Sequence, residues 1–124
     1  MSPEEELLGV VSELCPDCGH WPYTRDATLY VGWRSAEDEA VKAASNRTIR
    51  MAVRYDVAVC CDRTRLPDAE TLRYQLYDAL RKAGWMLDGP AGPEVYSAQT
   101  AMYLWPFTVA KAFALDEGAP VPIT

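Results

Sequence analysis

Cys15-Pro16-Asp17-Cys18-Gly19-His20 is the stretch of this chain whose residue types and spacing best fit metal chemistry. A Cys-x-x-Cys turn with a following glycine presents two thiolates to one ion, and a structural zinc needs four nitrogen or sulfur ligands. His20 is a candidate third ligand, and Cys60 or Cys61 a fourth. The second half is poorly formed. Adjacent residues of a strand point to opposite faces, so only one of Cys60 and Cys61 reaches a given site, and Cys61 shares parity with the apolar side. The competing reading is four free thiols, because unpaired cysteine is among the residue types most often buried. We expect no cofactor, and keep a structural zinc on Cys15, Cys18, His20 and Cys61 as the alternative. A redox dithiol fits less well, since such a pair opens a helix and this one closes one.

Catalysis finds little support. His20 is the only histidine and stands beside Trp21-Pro22. There is no nucleophile motif with a Ser, His and Asp set, and no glycine-rich phosphate loop. The run Glu37-Asp38-Glu39 reads as a solvated face. We assign no catalytic residue and expect a non-enzyme.

The chain has 124 residues and a formal net charge of −6. That length predicts one domain, residues 1–124. Its arginines are scattered among acids, as in Arg54-Tyr55-Asp56, which argues against tight nucleic-acid binding. No apolar run approaches the ~18 residues of a membrane span. The N-terminal segment is acidic where a secretion signal is basic, so no signal is read. Four cysteines in that setting argue against a disulfide scaffold.

The elements that would position these groups are legible in part. Ser2, Pro3 and Glu5 form a capping box, with Leu7, Val11 and Leu14 on one stripe of a first helix that ends by Pro16. Thr28 to Trp33 reads as a short strand. Residues 35–47 read as an arm or loop excursion between antiparallel strands. Ile49 to Cys61 alternates with period two: Ile49, Met51, Val53, Tyr55, Val57, Val59 and Cys61 are apolar, and Arg50, Arg54 and Asp56 lie between them. One face of that strand is dry and the other mostly wet. Asp68 is the expected N-cap of a second helix, whose stripe runs Leu72, Leu76, Ala79, Leu80 and Ala83, with Gly84 as its terminating glycine. Trp85, Met86 and Leu87 start a short strand or an extended connection. Residues 94–115 alternate again, broken only by Lys111, and Pro106 marks an edge or a bulge. Residues 118–124 read as a loose tail. The sum predicts an α+β fold: two helices on a small, mainly antiparallel four-stranded sheet, order α-β-β-α-β-β.

The aromatics Tyr74, Tyr77, Tyr96, Tyr103, Trp105 and Phe107 exceed what one thin core needs. Core packing is the plain reading, and a subunit contact the alternative, since Tyr and Trp are favoured at interfaces.

At this point a family resemblance enters. Trp21-Pro22-Tyr23, an arm leading through Asn46-Arg47-Thr48-Ile49 to Tyr55-Asp56-Val57, Ala79-Leu80-Arg81-Lys82-Ala83-Gly84-Trp85, Glu94-Val95-Tyr96 and Met102-Tyr103-Leu104-Trp105-Pro106-Phe107-Thr108-Val109 stand in a similar layout and in similar short strings in one group of proteins. Over residues 5 to 115 the chain resembles the tail-terminator, or tail-completion, proteins of long-tailed bacteriophages and prophages. The Cys-x-x-Cys turn departs from that pattern. The resemblance implies a structural virion protein, assembled in the host bacterial cytoplasm. It implies a homo-oligomer, a hexameric ring at the head-proximal end of the tail tube. The ring would cap tube growth and join the head connector, with tail tube protein and a connector or stopper protein as partners. DNA would pass through the lumen without specific binding, and no membrane is implied. The alternatives are another neck or head–tail connector protein, or a small zinc-stapled adaptor that binds a protein partner. As interface candidates we take Arg50, Arg54, Asp56, Tyr103 and Trp105. On the ring reading the first three face the lumen or a neighbouring subunit.

Overall fold

The alternation of residues 49–61 becomes half of the longest ladder in the molecule. Strand β4 (Ile49–Cys61) lies antiparallel to β7 (Met102–Asp116), in register from Ile49 opposite Leu115 to Cys61 opposite Tyr103. Each of these strands is longer than any neighbour, so each outer edge is covered in pieces. Along β4 run β2 (Leu29–Ser35) and then β3 (Glu39–Ala43), with β1 (Cys18–His20) parallel to β2. Along β7 run β6 (Val95–Ser97), β5 (Met86–Leu87) and β8 (Ala119–Pro122). This computed structural model describes residues 2–22, 27–43, 49–116 and 118–122.

The expected four-stranded, mainly antiparallel sheet with order α-β-β-α-β-β is therefore wrong. The described residues form one mixed eight-stranded sheet. The extra strands β1, β3, β6 and β8 are three to five residues long, too short for a period-two pattern to show. They are specified by the long edges they pair with. The arm expected at 35–47 holds the end of β2 and all of β3, and residues 44–47 lie outside the described residues. Of the tail expected at 118–124, residues 119–122 pair with β7 as β8.

Two helices, α1 (Pro3–Leu14) and α2 (Leu66–Lys82), cover one face of the sheet. Helix α1 begins with the expected capping box: Glu5 N–H donates to Ser2 Oγ, and Ser2 N–H to Glu5 Oε1, each at 3.2 Å. Helix α2 begins earlier than expected. A 3-10 turn (Arg63–Arg65), capped by Asp62, runs straight into it. Asp68 sits in the first turn and bonds Arg65 rather than capping. Its end is as expected: Gly84 takes φ +94°, and Trp85 N–H reaches back to Leu80 C=O at 2.8 Å, the glycine-terminated closure that Cβ-bearing residues resist. No described helix is long and apolar enough to cross a membrane.

The core lies between the helices and the odd-numbered residues of the strands. Leu7, Val11, Leu72, Leu76 and Leu80 meet Val31, Trp33, Val57, Val59, Phe107, Val109 and Phe113, with Trp85 closing the end. Lys111 breaks the apolar pattern of β7 for a visible reason. Only 12% of its side chain is exposed, and Nζ donates to Glu6 Oε1 at 2.8 Å and to Ala83 C=O at 2.9 Å. One cation thus ties α1 to the sheet and satisfies an orphan carbonyl at the negative end of α2. Pro106 falls in the gap between β6 and β5. Its C=O accepts Gly92 N–H on the outer side of β7, the side its missing N–H also faces, so no bond to β4 is lost.

Candidate interaction surface

The even-numbered residues of β2, β4 and β7 form the other face, which no described helix covers. Tyr30, Gly32 and Arg34 stand beside Cys60, Ala58 and Asp56, which stand beside Leu104, Pro106 and Thr108. Farther along lie Arg54, Ala52 and Arg50 opposite Ala110, Ala112 and Ala114. Period two alone predicts a wet face here, yet Cys60 is fully buried. Tyr30 bonds the Cys60 thiol from the neighbouring strand, and the chain leaving β1 lies over Tyr30 in turn. Trp21 folds back over the sheet, its N–H bonded to Trp33 C=O, and stacks on Tyr30 with ring centroids 6.3 Å apart. Gly32 makes the room: a Cβ there would lie 2.4 Å from Trp21 Cε3. Burial pushes the Cys60 thiol and the Tyr30 phenol each up to about 12. Trp21, Gly32, Arg34, Asp56, Leu104 and Pro106 wall a shallow groove of about 250 Å³.

The charged residues of this face are tied to one another. Asp56 accepts from Thr108 Oγ1 at 2.8 Å and from Arg34 Nε at 3.4 Å. Arg54 bonds Asp88 just past β5, Glu39 of β3 at 3.0 Å and the Glu37 C=O. One guanidinium thereby spans the sheet from the β3 edge to the β5 edge, above the small Ala110 that β7 places between them. Asp88 is the main reason the guanidinium is held even more firmly protonated than usual. Arg50 is exposed and has no ion-pair partner among the described residues.

The other two interface candidates are on the helix side. Tyr103 packs against the core edge, with Tyr96 at a 4.9 Å centroid distance. Trp105 lies under the Arg73 guanidinium, 3.7 Å from the ring centroid. The five interface candidates thus lie on both faces of the sheet: Arg50, Arg54 and Asp56 on the open one, Tyr103 and Trp105 on the helix side.

The four thiols and His20 are placed as follows. Cys15 is buried at the end of α1, and its Sγ donates to Asp17 C=O at 3.3 Å. Burial raises its thiol pKa first, and the neighbouring Cys18 adds to the shift. Cys61 faces the core and Cys60 the opposite side. His20 bonds Glu4 instead, and that bond, with one from Trp33 Nε1 at 3.0 Å, holds the Glu4 carboxyl below its ordinary range. Among the described residues no three His, Cys, Asp or Glu side chains converge as metal ligands.

The exposed large hydrophobics, missed by the sequence reading as a group, are distributed unevenly. Of eight, Leu8 and Trp21 lie toward β1, while Tyr74, Met86, Leu87, Val95, Tyr96 and Val121 lie along the outer side of β7 or on the flank of α2 beside it. Met86 is 70% exposed.

No protein-family model matches the chain, and no curated protein matches it. Among solved structures the fold is similar to a chain of "Virion of native gene transfer agent (GTA) particle", with a TM-score of 0.50 and 15% sequence identity, over 84% of this chain and 81% of that one. At that identity the likeness is one of fold.

Proposed function

We propose that this chain is a structural virion protein, a tail terminator that forms a ring on the head-proximal end of a phage-type tail tube. The observation that carries the reading is the fold likeness to a chain of a virion particle over most of both chains. The surface supports it. A sheet with one face left open by the helices and one apolar edge is built for contact with other subunits, since monomers rarely expose contiguous apolar area. On the open face Arg34, Arg54 and Asp56 are engaged in structural pairs, and Arg50 is left exposed.

In the ring the open face lines the lumen. A net charge of −6 and the pairing of Arg34 and Arg54 with acids leave that wall Arg50 but no cluster of cations to hold phosphates with, so DNA slides past. The same likeness fits a neighbouring ring of the neck, and one experiment separates the two. Purified tail tube protein polymerises with or without the chain, followed by light scattering and electron microscopy. A terminator stops elongation and leaves density at one tube end. Unchanged elongation with bare tube ends overturns the terminator reading, and binding to a connector alone favours the neck protein.

A further inference from the structure

The two lateral edges of the sheet are open, and each presents incompletely paired charge at one point, of opposite sign. At one edge, β3 pairs only with β4, and Glu37, Asp38 and Glu39 stand at its start. Of these three acids, Glu39 alone has a cationic partner among the described residues, Arg54, which Asp88 already shares. At the other edge, β5 pairs only with β7. There α2 and β5 enclose an open apolar groove of about 490 Å³, walled by Tyr74, Tyr77, Leu80, Trp85, Met86 and Leu87. Arg81 and Lys82 beside it share the single carboxylate of Asp78, at 3.1 and 2.8 Å, which leaves one cation uncompensated. Of the nearby acids, Asp88 is bonded to Arg54, Glu70 and Glu94 line a separate groove with Arg73, and Glu5, Glu6 and Glu13 line a further groove with Lys82, so Arg81 is the cation that faces the apolar groove.

We infer that the occupant of the α2/β5 edge is a second copy of this chain, which brings up its acidic β2–β3 edge head to tail. The inference rests on the ring reading and specifies which surfaces meet. Open strand edges are templates for another chain unless something covers them. The two edges differ in residues and in charge sign, so their contact is heterologous, and such contacts close into a ring when the rotation permits. A two-fold dimer would set like against like: acid against acid at one edge, cation against cation at the other. Met86, Leu87 and Tyr74 supply apolar area, and Arg81 meets Glu37 and Asp38 of the next copy, which sets register and direction.

The test is a charge swap on the full chain, read as assembly mass by native mass spectrometry and sedimentation, with circular dichroism as the fold control. R81E alone, and E37K/D38K alone, should each weaken association at least tenfold. The triple variant R81E/E37K/D38K should restore the wild-type mass, a recovery that misfolding does not produce. M86D should dissociate the assembly without rescue by any charge change. If wild type forms rings and neither charge reversal moves the mass, the edge assignment is overturned while the ring reading stands. A wild-type chain that stays a monomer, alone and on added tail tubes, overturns both.

Discussion

The two faces of strand β4 obey the same period but different physics. On the odd face, Val53 to Cys61 are buried by helices that the sequence announces with caps and stripes. On the even face, Cys60 is as deeply buried as anything in the core, while Arg50, ten residues away on the same strand, is exposed. Beside Cys60 lies Tyr30 of β2, and on Tyr30 stacks Trp21 from the turn after β1. Alternation reports which side has a regular partner; it does not report a side chain that folds over from elsewhere.

The comparison breaks most sharply with two tryptophans. Trp85→Ala removes a 1% exposed ring from the junction of α2 with Tyr55 and Phe113, and should cost about 3–5 kcal/mol in denaturant unfolding. Trp21→Ala should cost about 1–2 kcal/mol, because its ring is already partly wet. Equal losses would mean that the open face holds a second core.

Lys111→Met probes the one charge buried on the helix side. It leaves Glu6 in place without its cation, so a loss of about 2–3 kcal/mol is expected. The double variant Lys111→Met with Glu6→Gln should recover part of that loss. No recovery would show that Ala83 C=O, not Glu6, is the partner that matters.

Gly32→Ala sharpens the other side. The new Cβ displaces the Trp21 ring, and a loss of about 1 kcal/mol with a red-shifted Trp emission is expected. A neutral result with unchanged emission would contradict the placement of Trp21 over Gly32.

The even face also predicts an alkaline limit. Cys60 and Tyr30 are raised from ordinary values of 9.0 and 10.0 to about 12 each by burial. The unfolded chain releases these protons first, so their contribution to stability is complete below about pH 9 and is lost as pH rises toward 12. Melting temperatures from pH 7 to 11 should fall above pH 9, and less steeply in Cys60→Ala. Identical slopes would remove Cys60 from the account. Arg50→Ala, the smallest change, should shift stability by no more than about 0.5 kcal/mol.

Legibility followed element length. The capping box at Ser2, the glycine stop at Gly84 and the two long strands were readable, because each is a local signal or a sustained period. Strands β1, β3, β6 and β8 were not, because a three- to five-residue strand is fixed by the edge it joins; β5 showed only as a short strand or extended connection from Trp85 to Leu87. The surface was half readable: Arg54 and Asp56 lie on the open face as the parity demands, while Tyr103 and Trp105 lie on the other. No period reveals that Arg54 reaches two sheet edges at once, since its partners Glu39 and Asp88 are 15 and 34 residues away in the chain.

Imaging tail tubes assembled with this chain tests the central claim most directly. Electron cryomicroscopy of the tube end should show a closed ring of copies with the helix-free face toward the lumen and α1 and α2 outside. A ring with the helices lining the lumen, or tube ends with no added density, would contradict the account.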